Sequence, residues 1–306
     1  MKRESLLRHL VKNRLLVLMS LPAIVFFIVF SYLPIAGLVI AFKQYNYRDG
    51  IFGSPWAGID NFQFFFISGK AWLVTSNTFL YNLAFIIINN LLEIVLAVAL
   101  VEISSNWLRK VMQSMLFLPY FVSWVTVGLL FFGFANFDSG IVNSLLQTFG
   151  AEPIDIYNTP GYWPIMIVLV SAWKAVGYGM IYYMAAIMGV DPEIYEAAEI
   201  DGANIFRKIW HLTIPYLIPT VVILLLLAVG NIFRGDFGLF YQLVQNNGVL
   251  FDKTDVIDTF VFRSLLMTRE EGMAAAAGFY QSVLCFVTIM MANFAVKKYN
   301  KDYSLF

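Results

Sequence analysis

Apolar residues gather into six runs, each long enough to cross about 30 Å of hydrocarbon as a helix. They fall near 15–42, 76–101, 111–134, 164–189, 216–233 and 274–296. The fifth is barely long enough, and Pro215 and Pro219 near its start predict a bend or a restart there. Pro22, Pro34 and Pro119 lie inside other runs. Backbone groups freed by proline at membrane depth must be satisfied by neighbouring protein, which favours a packed bundle over isolated spans. The pattern predicts an all-α integral membrane protein: a short segment 1–14, a six-helix domain 15–296 and a tail 297–306.

Composition agrees with this reading. The chain is 60% hydrophobic and 17% aromatic, with 13% charged residues, about half the charge of a soluble domain. A net charge of zero gives no sign of a nucleic-acid partner. The one cysteine, Cys285, excludes an intrachain disulfide and a Cys-based metal site. The basic N-terminus leads into a span too long for a cleaved signal peptide and without a small-residue cleavage site.

Lys and Arg placement predicts orientation. Lys2, Arg3, Arg8, Lys12, Arg14, Arg109, Lys110, Arg207, Lys208, Lys297, Lys298 and Lys301 fall on one side. The opposite loops, 43–75, 135–163 and 234–273, hold fewer cations in many more residues. The positive-inside rule then puts both termini in the cytoplasm.

Between spans four and five lies a polar interruption, residues 191–215. Asp191-Pro192 reads as an N-cap with proline at the first helical position. Ile194, Ala197, Ala198 and Ile200 continue a short helix to Asp201, and Gly202 suits its end because it tolerates the left-handed conformation. Ala203, Phe206, Ile209 and Trp210 offer a second apolar face running into the fifth span. Such a helix–turn–helix is either an interfacial amphipathic linker or a docking element for a soluble partner.

Two polar stripes sit within the spans. Thr75, Thr78, Asn82, Asn89 and Glu93 share one helical face, as do Ser171, Lys174, Tyr178 and Tyr182. Lys174 is about ten residues into its span, roughly 15 Å deep at helical rise. A lipid-facing charge there costs at least about 2.5 kcal/mol, so it must face protein or a watery cavity. Two compatible readings follow: an interhelical Glu93–Lys174 pair, and a translocation pathway lined by Asn82, Asn89, Glu93, Lys174 and Tyr178. Gln281 and Thr288 form a weaker face on span six that reads as helix packing. In the outer loops Trp56, Trp72, Tyr157, Tyr162 and Trp163 read as interfacial anchors. Arg234, Asp236, Asp252, Asp255, Asp258 and Arg263 make a mixed-charge surface, either a docking face for a soluble protein or a solvated loop.

No chemistry of hydrolysis is legible. Gly69-Lys70 is followed by Ala71 and lacks the upstream glycine of a phosphate loop. His9 and His211 stand alone without metal-ligand spacing, and no G-x-S-x-G elbow occurs.

The interruption resembles the EAA signature of binding-protein-dependent ABC import permeases, through Glu196, Ala197, Ala198, Gly202, Leu212, Ile214 and Pro215. Leu212 stands where Ile is usual and Ile214 where Leu is usual. LPYFVSWVTVG, SAWKAVGYG, NIFRGDFGLFYQLV and TDVIDTFVFRSL extend the resemblance to polygalacturonan-type sugar permeases, the LplB/YteP-like group. The resemblance implies a type I importer fold in a bacterial plasma membrane, with no enzymatic activity in the chain itself. It makes 191–210 a coupling helix, with Glu196, Ala197, Ala198, Asp201, Gly202, Ala203 and Phe206 seated in an ATPase. It also implies a second homologous permease forming a heterodimer, and two ATPase subunits (or one homodimeric ATPase) that bind ATP and Mg. An extracellular solute-binding protein would deliver an oligosaccharide, acidic pectin-derived chains included. The rival class is a self-sufficient secondary transporter or channel in which buried Glu93 and Lys174 relay ions.

Overall fold

A computed structural model describes residues 13–300 and Ser304. Lys2, Arg3, Arg8, Lys12 and Lys301, with most of the two terminal segments, lie outside the described residues. Among those described, the fold is helical apart from one antiparallel bridge between Lys43 and Trp56.

Five helices are long and apolar enough to cross a membrane: α1 (Arg14–Phe42), α3 (Lys70–Val101), α7 (Pro160–Met188), α9 (Ile205–Gly230) and α12 (Glu271–Tyr299). The sixth crossing departs from expectation. Instead of one helix over 111–134, α4 (Asn106–Phe117) runs through a 3-10 turn at Leu118–Phe121 and is followed by α5 (Trp124–Ala135), bent by 95°. Pro119 supplies no N–H, and Ser123 restarts the helix by accepting from Thr126 N at 3.2 Å. The fifth crossing departs the other way. A π-turn at Ile209–Thr213 leads directly into the helix from Ile214, so Pro215 falls in its first turn and the span stays continuous back to Ile205.

The segments read as loops also fold. They contain α2 (Asp60–Ile67), α6 (Ile141–Thr148), α10 (Phe237–Val244) and α11 (Ile257–Leu266), and α8 (Pro192–Ile200) lies between spans four and five.

The parallel pair α3–α7 is the axis of the bundle. At one end Ala97, Leu100, Met180, Tyr183, Met184, Ile187 and Leu217 form a core beneath α8. At the other, Tyr81, Trp163, Ile167, Leu239, Phe240 and Leu243 pack the shorter helices onto it. Tyr157 and Trp163 belong to this second core rather than to a membrane interface. Trp163 is fully buried and its indole donates to Ile156 O at 2.9 Å, while Tyr157 donates to Leu243 O at 3.2 Å. Trp56 and Trp72 remain exposed. Most of α1 is unlike the rest: from Leu18 to Ala36 every residue is exposed, and its main contacts with α12 come from the last third.

Helix α7 approaches α4 so closely that a Cβ on Gly177 would lie 1.8 Å from the carbonyl oxygen of Leu116. Backbone cannot yield as a side-chain end would. We expect Gly177→Val to abolish recovery of the folded protein from membranes; monodisperse protein at normal yield would show that α4 and α7 are not in this contact.

Candidate functional site

The interruption folds as a rigid, doubly capped element. Asp191 accepts from Glu193 N at 3.0 Å and Pro192 opens α8. Its end is a Schellman closure: Gly202 N donates to Glu199 O at 3.0 Å and Ala203 N to Ala198 O at 2.9 Å. Gly202 carries φ +77°, while a Cβ there would meet nothing within 4 Å. Glycine is required here by backbone conformation and not by space. Asn204 then caps the next helix by accepting from Arg207 N at 2.9 Å. Lys208 reaches back to Glu199 at 2.5 Å, and the Tyr195 and Thr213 hydroxyls meet at 3.1 Å, tying α8 to α9. A cavity of about 370 Å³ opens beneath, with Glu102, Glu196, Glu199 and Lys208 in its wall.

Two apolar side chains at the turn of this element are left largely uncovered by the described residues. Ile200 is 87% exposed and Phe206 77%. Glu196, Ala197 and Asp201 are exposed too, with Ala198 and Ala203 half-buried. The seven candidate coupling residues thus lie within this helix and turn, five of them exposed.

The membrane-embedded candidates separate. Lys174 Nζ donates to Val122 O at 2.5 Å, Tyr120 O at 2.7 Å and Pro119 O at 3.3 Å, which uses all its N–H groups at the elbow between α4 and α5. It also lies over the Trp124 ring at 5.1 Å and the Tyr120 ring at 5.7 Å. No ion pair joins it to Glu93 among the described residues, so the first of the two readings, an interhelical pair, is not formed. Glu93 lies instead against α7 at Gly179, where an added Cβ would fall 2.0 Å from its Oε1. Without that pair, the ion relay of the rival class loses its two-residue basis.

The rest of the α3 stripe holds the helix to its neighbours. Asn82 donates to Thr78 O at 2.9 Å and Arg234 O at 3.2 Å, and Thr78 accepts from Ile257 N at 3.0 Å. Asn90, not singled out by sequence, takes the Tyr183 hydroxyl at 2.6 Å. Asn89 keeps a buried side-chain oxygen without a partner. Gln281 donates to Phe233 O and Asp258, both at 2.8 Å, a packing role as expected. Tyr178 alone joins Lys174 near the elbow: it stacks on Tyr120 at 4.3 Å and 9°, and its hydroxyl meets that of Tyr182 at 2.7 Å.

The mixed-charge surface breaks up as well. Asp255 is buried and paired with Arg263, which itself lies over the Phe251 ring. Asp258 accepts from Gly235 N at 2.6 Å; burial pushes its carboxyl above the usual range, against the pull of that hydrogen bond. These three residues hold the outer helices together. Arg234, Asp236 and Asp252 stay exposed. Asp236 faces the elbow: it caps α10 by accepting from Leu239 N at 3.1 Å and takes the Trp124 indole at 3.0 Å. Tyr120, Ser123 and Trp124 were missed in the sequence because a straight third span hides them. The one signal was Pro119 followed by Ser123, a stop and a new cap.

Residues 90–301 match the model of the binding-protein-dependent transport system inner membrane component family. The chain belongs to this family. The permease is 33% identical to the polygalacturonan/rhamnogalacturonan transport system permease YteP of Bacillus subtilis, covering 98% of this chain and 93% of that one. It is 31% identical to LplB of the same organism, over 98% and 94%. It also matches a subunit of a bacterial ABC transporter that imports the acidic polysaccharide alginate, with a TM-score of 0.87, 31% identity, and coverage of 97% of this chain and 100% of that one. That transporter has also been solved with an alginate pentasaccharide-bound periplasmic protein. The permease is thus a multi-pass membrane subunit of a bacterial ABC transporter of the sugar-import type, a transporter component rather than an enzyme.

The three bonds of Lys174 predict a structural cost for its loss. A hydrogen bond to a charged group contributes about 1.5–3 kcal/mol, and orphaned carbonyls inside a membrane cost more. Lys174→Met should lower the unfolding temperature of the detergent-solubilised protein and its yield. An unchanged melting curve would mean that the elbow holds without the ammonium.

Proposed function

We propose that the permease forms one half of the membrane channel of an ATP-driven importer that moves an oligosaccharide into the cytoplasm. A second, homologous permease completes the channel, and the largely uncovered apolar surface of α1 is available for that partner or for lipid. An extracellular solute-binding protein delivers the sugar. A separate pair of ATPase subunits binds ATP and Mg, for which this chain has no phosphate loop. The relatives named for polygalacturonan, rhamnogalacturonan and alginate transport favour an acidic oligosaccharide as substrate. Positive-inside asymmetry supports cytoplasmic termini and a cytoplasmic α8.

One observation carries this reading: a helix–turn capped at both ends presents Ile200 and Phe206 to the outside, largely uncovered by the described residues. Exposed apolar anchors rimmed by charge are the ordinary makeup of a docking site. Because α9 continues from this turn as an unbroken span, a displacement imposed at residues 191–204 is carried into the membrane. An ATPase that binds the two channel states unequally would supply the free energy to switch them.

Two substitutions test the coupling role. Gly202→Val forces a β-branched residue into positive φ, at a local cost on the order of 1 kcal/mol or more. Glu196→Lys reverses a charge on the docking surface, where mismatch costs several kcal/mol. Both variants should reach the membrane and still engage loaded binding protein, yet lose sugar-stimulated ATP hydrolysis and uptake in reconstituted vesicles. Stoichiometric ATPase and unimpaired uptake in both would reduce residues 191–210 to a linker.

A further inference from the structure

At the opposite end of the bundle from α8, a cavity of about 320 Å³ opens between α2, α11 and the starts of two spans. It is lined by Phe64, Ser68, Lys70, Arg263, Thr268 and Glu270 among others. Span α3 begins at Lys70 and span α12 at Glu271, so the cavity lies level with the ends of two membrane helices, where water gives way to hydrocarbon. Its rim is apolar and largely uncovered: Phe64 is 61% exposed, Ile67 82% and Leu266 61%. Apolar surface of this kind marks a contact with lipid or with another protein.

The charged groups of the wall divide into a matched pair and an unmatched one. Arg263 is paired with Asp255 and lies over the Phe251 ring, so its charge is answered inside the protein. Lys70 and Glu270 are exposed, and neither side chain has a hydrogen bond or ion pair among the described residues, not even with each other. The hydroxyls beside them are already engaged as donors: Ser68 donates to Phe65 O at 2.9 Å and Thr268 to Ser264 O at 3.1 Å. Toward the cavity they can only accept. What remains free is one cationic donor and one anionic acceptor, with neutral acceptors between. A ligand of single charge is attracted by one and repelled by the other. A ligand that carries an anion and an N–H-bearing cation satisfies both.

We propose that this cavity binds the headgroup of a zwitterionic phospholipid, phosphatidylethanolamine, whose acyl chains run over the exposed apolar rim. Lys70 Nζ donates to the phosphate. The lipid ammonium donates to Glu270 and to the Ser68 and Thr268 oxygens, which the quaternary ammonium of a choline headgroup, lacking N–H, cannot do. A glycerol headgroup brings the phosphate but leaves Glu270 beside a like charge with no cation to answer it. Under the positive-inside orientation the site belongs to the outer leaflet. Bound there, the lipid fastens α2 and α11 to the starts of α3 and α12.

The test uses the complete transporter, purified in detergent, with bound lipid counted by native mass spectrometry. Dioleoyl phosphatidylethanolamine, phosphatidylglycerol and phosphatidylcholine are the lipid probes, identical in their chains, and glycerophosphoethanolamine is the headgroup without chains. Other surfaces of a membrane protein also hold lipid, so the site is read as the phosphatidylethanolamine that Lys70→Gln removes. That substitution should weaken its binding about tenfold. Glu270→Gln should weaken phosphatidylethanolamine by a similar factor and strengthen phosphatidylglycerol until the two bind alike. Neither side chain has a partner in the fold, so both variants should melt, free of lipid, at the temperature of the unmodified protein. Phosphatidylethanolamine binding unchanged in both variants, or a preference for phosphatidylglycerol or phosphatidylcholine in the unmodified transporter, would overturn the proposal. Competition by glycerophosphoethanolamine at equal concentration would overturn it in favour of a soluble zwitterion. Release of the bound lipid by the loaded binding protein would overturn it too, since the cavity would then belong to a protein-docking face.

Discussion

Breaking a helix in the middle of a membrane leaves carbonyl groups with neither an N–H partner nor water, and the architecture of this permease turns on how that debt is met. The break lies at Pro119–Ser123, and the group that meets it is the ammonium of Lys174, projected from the neighbouring α7 onto the carbonyls of Pro119, Tyr120 and Val122. A buried cation would be costly alone, and so would the carbonyls; together they satisfy each other. Gly177, one turn along α7, lets α4 come close enough for the reach. With the elbow fixed, α5 leaves at 95° and meets α10, and Trp124 bonds Asp236 across the space so formed.

At the far end of α7 lies the element proposed to transmit force. Rigidity in α8 comes from caps at both ends, and continuity comes from the π-turn that admits Pro215 without breaking α9. Between elbow and coupling segment, α7 and its partner α3 are bound by close packing and by the Tyr183–Asn90 hydrogen bond. Movement at α8 can thus reach the elbow through α7, to which the short connection 189–191 joins it.

Much of this was legible in the chain and the rest was hidden for definable reasons. Spans, the polar interruption and its glycine turn could be read because periodicity, caps and positive-φ glycine are local properties. The elbow could not, since an apolar run of sufficient length looks the same whether straight or bent; Pro119 and Ser123 were its only marks. Partner choice is non-local, so a helical stripe that placed Glu93 and Lys174 at similar depth could not tell that the lysine turns to backbone. For the same reason Asp255, Asp258 and Arg263 read as surface charge and proved to be internal clamps, while Asp236 belonged to the elbow.

A sugar-bound density map of the assembled transporter, resolving side chains around α7 and α8, bears most directly on this account. It should show Lys174 on the carbonyls of Pro119, Tyr120 and Val122, and Ile200 and Phe206 covered by an ATPase subunit. Lys174 turned onto a sugar carboxylate or onto Glu93, or Ile200 and Phe206 lying bare or in lipid, would contradict it.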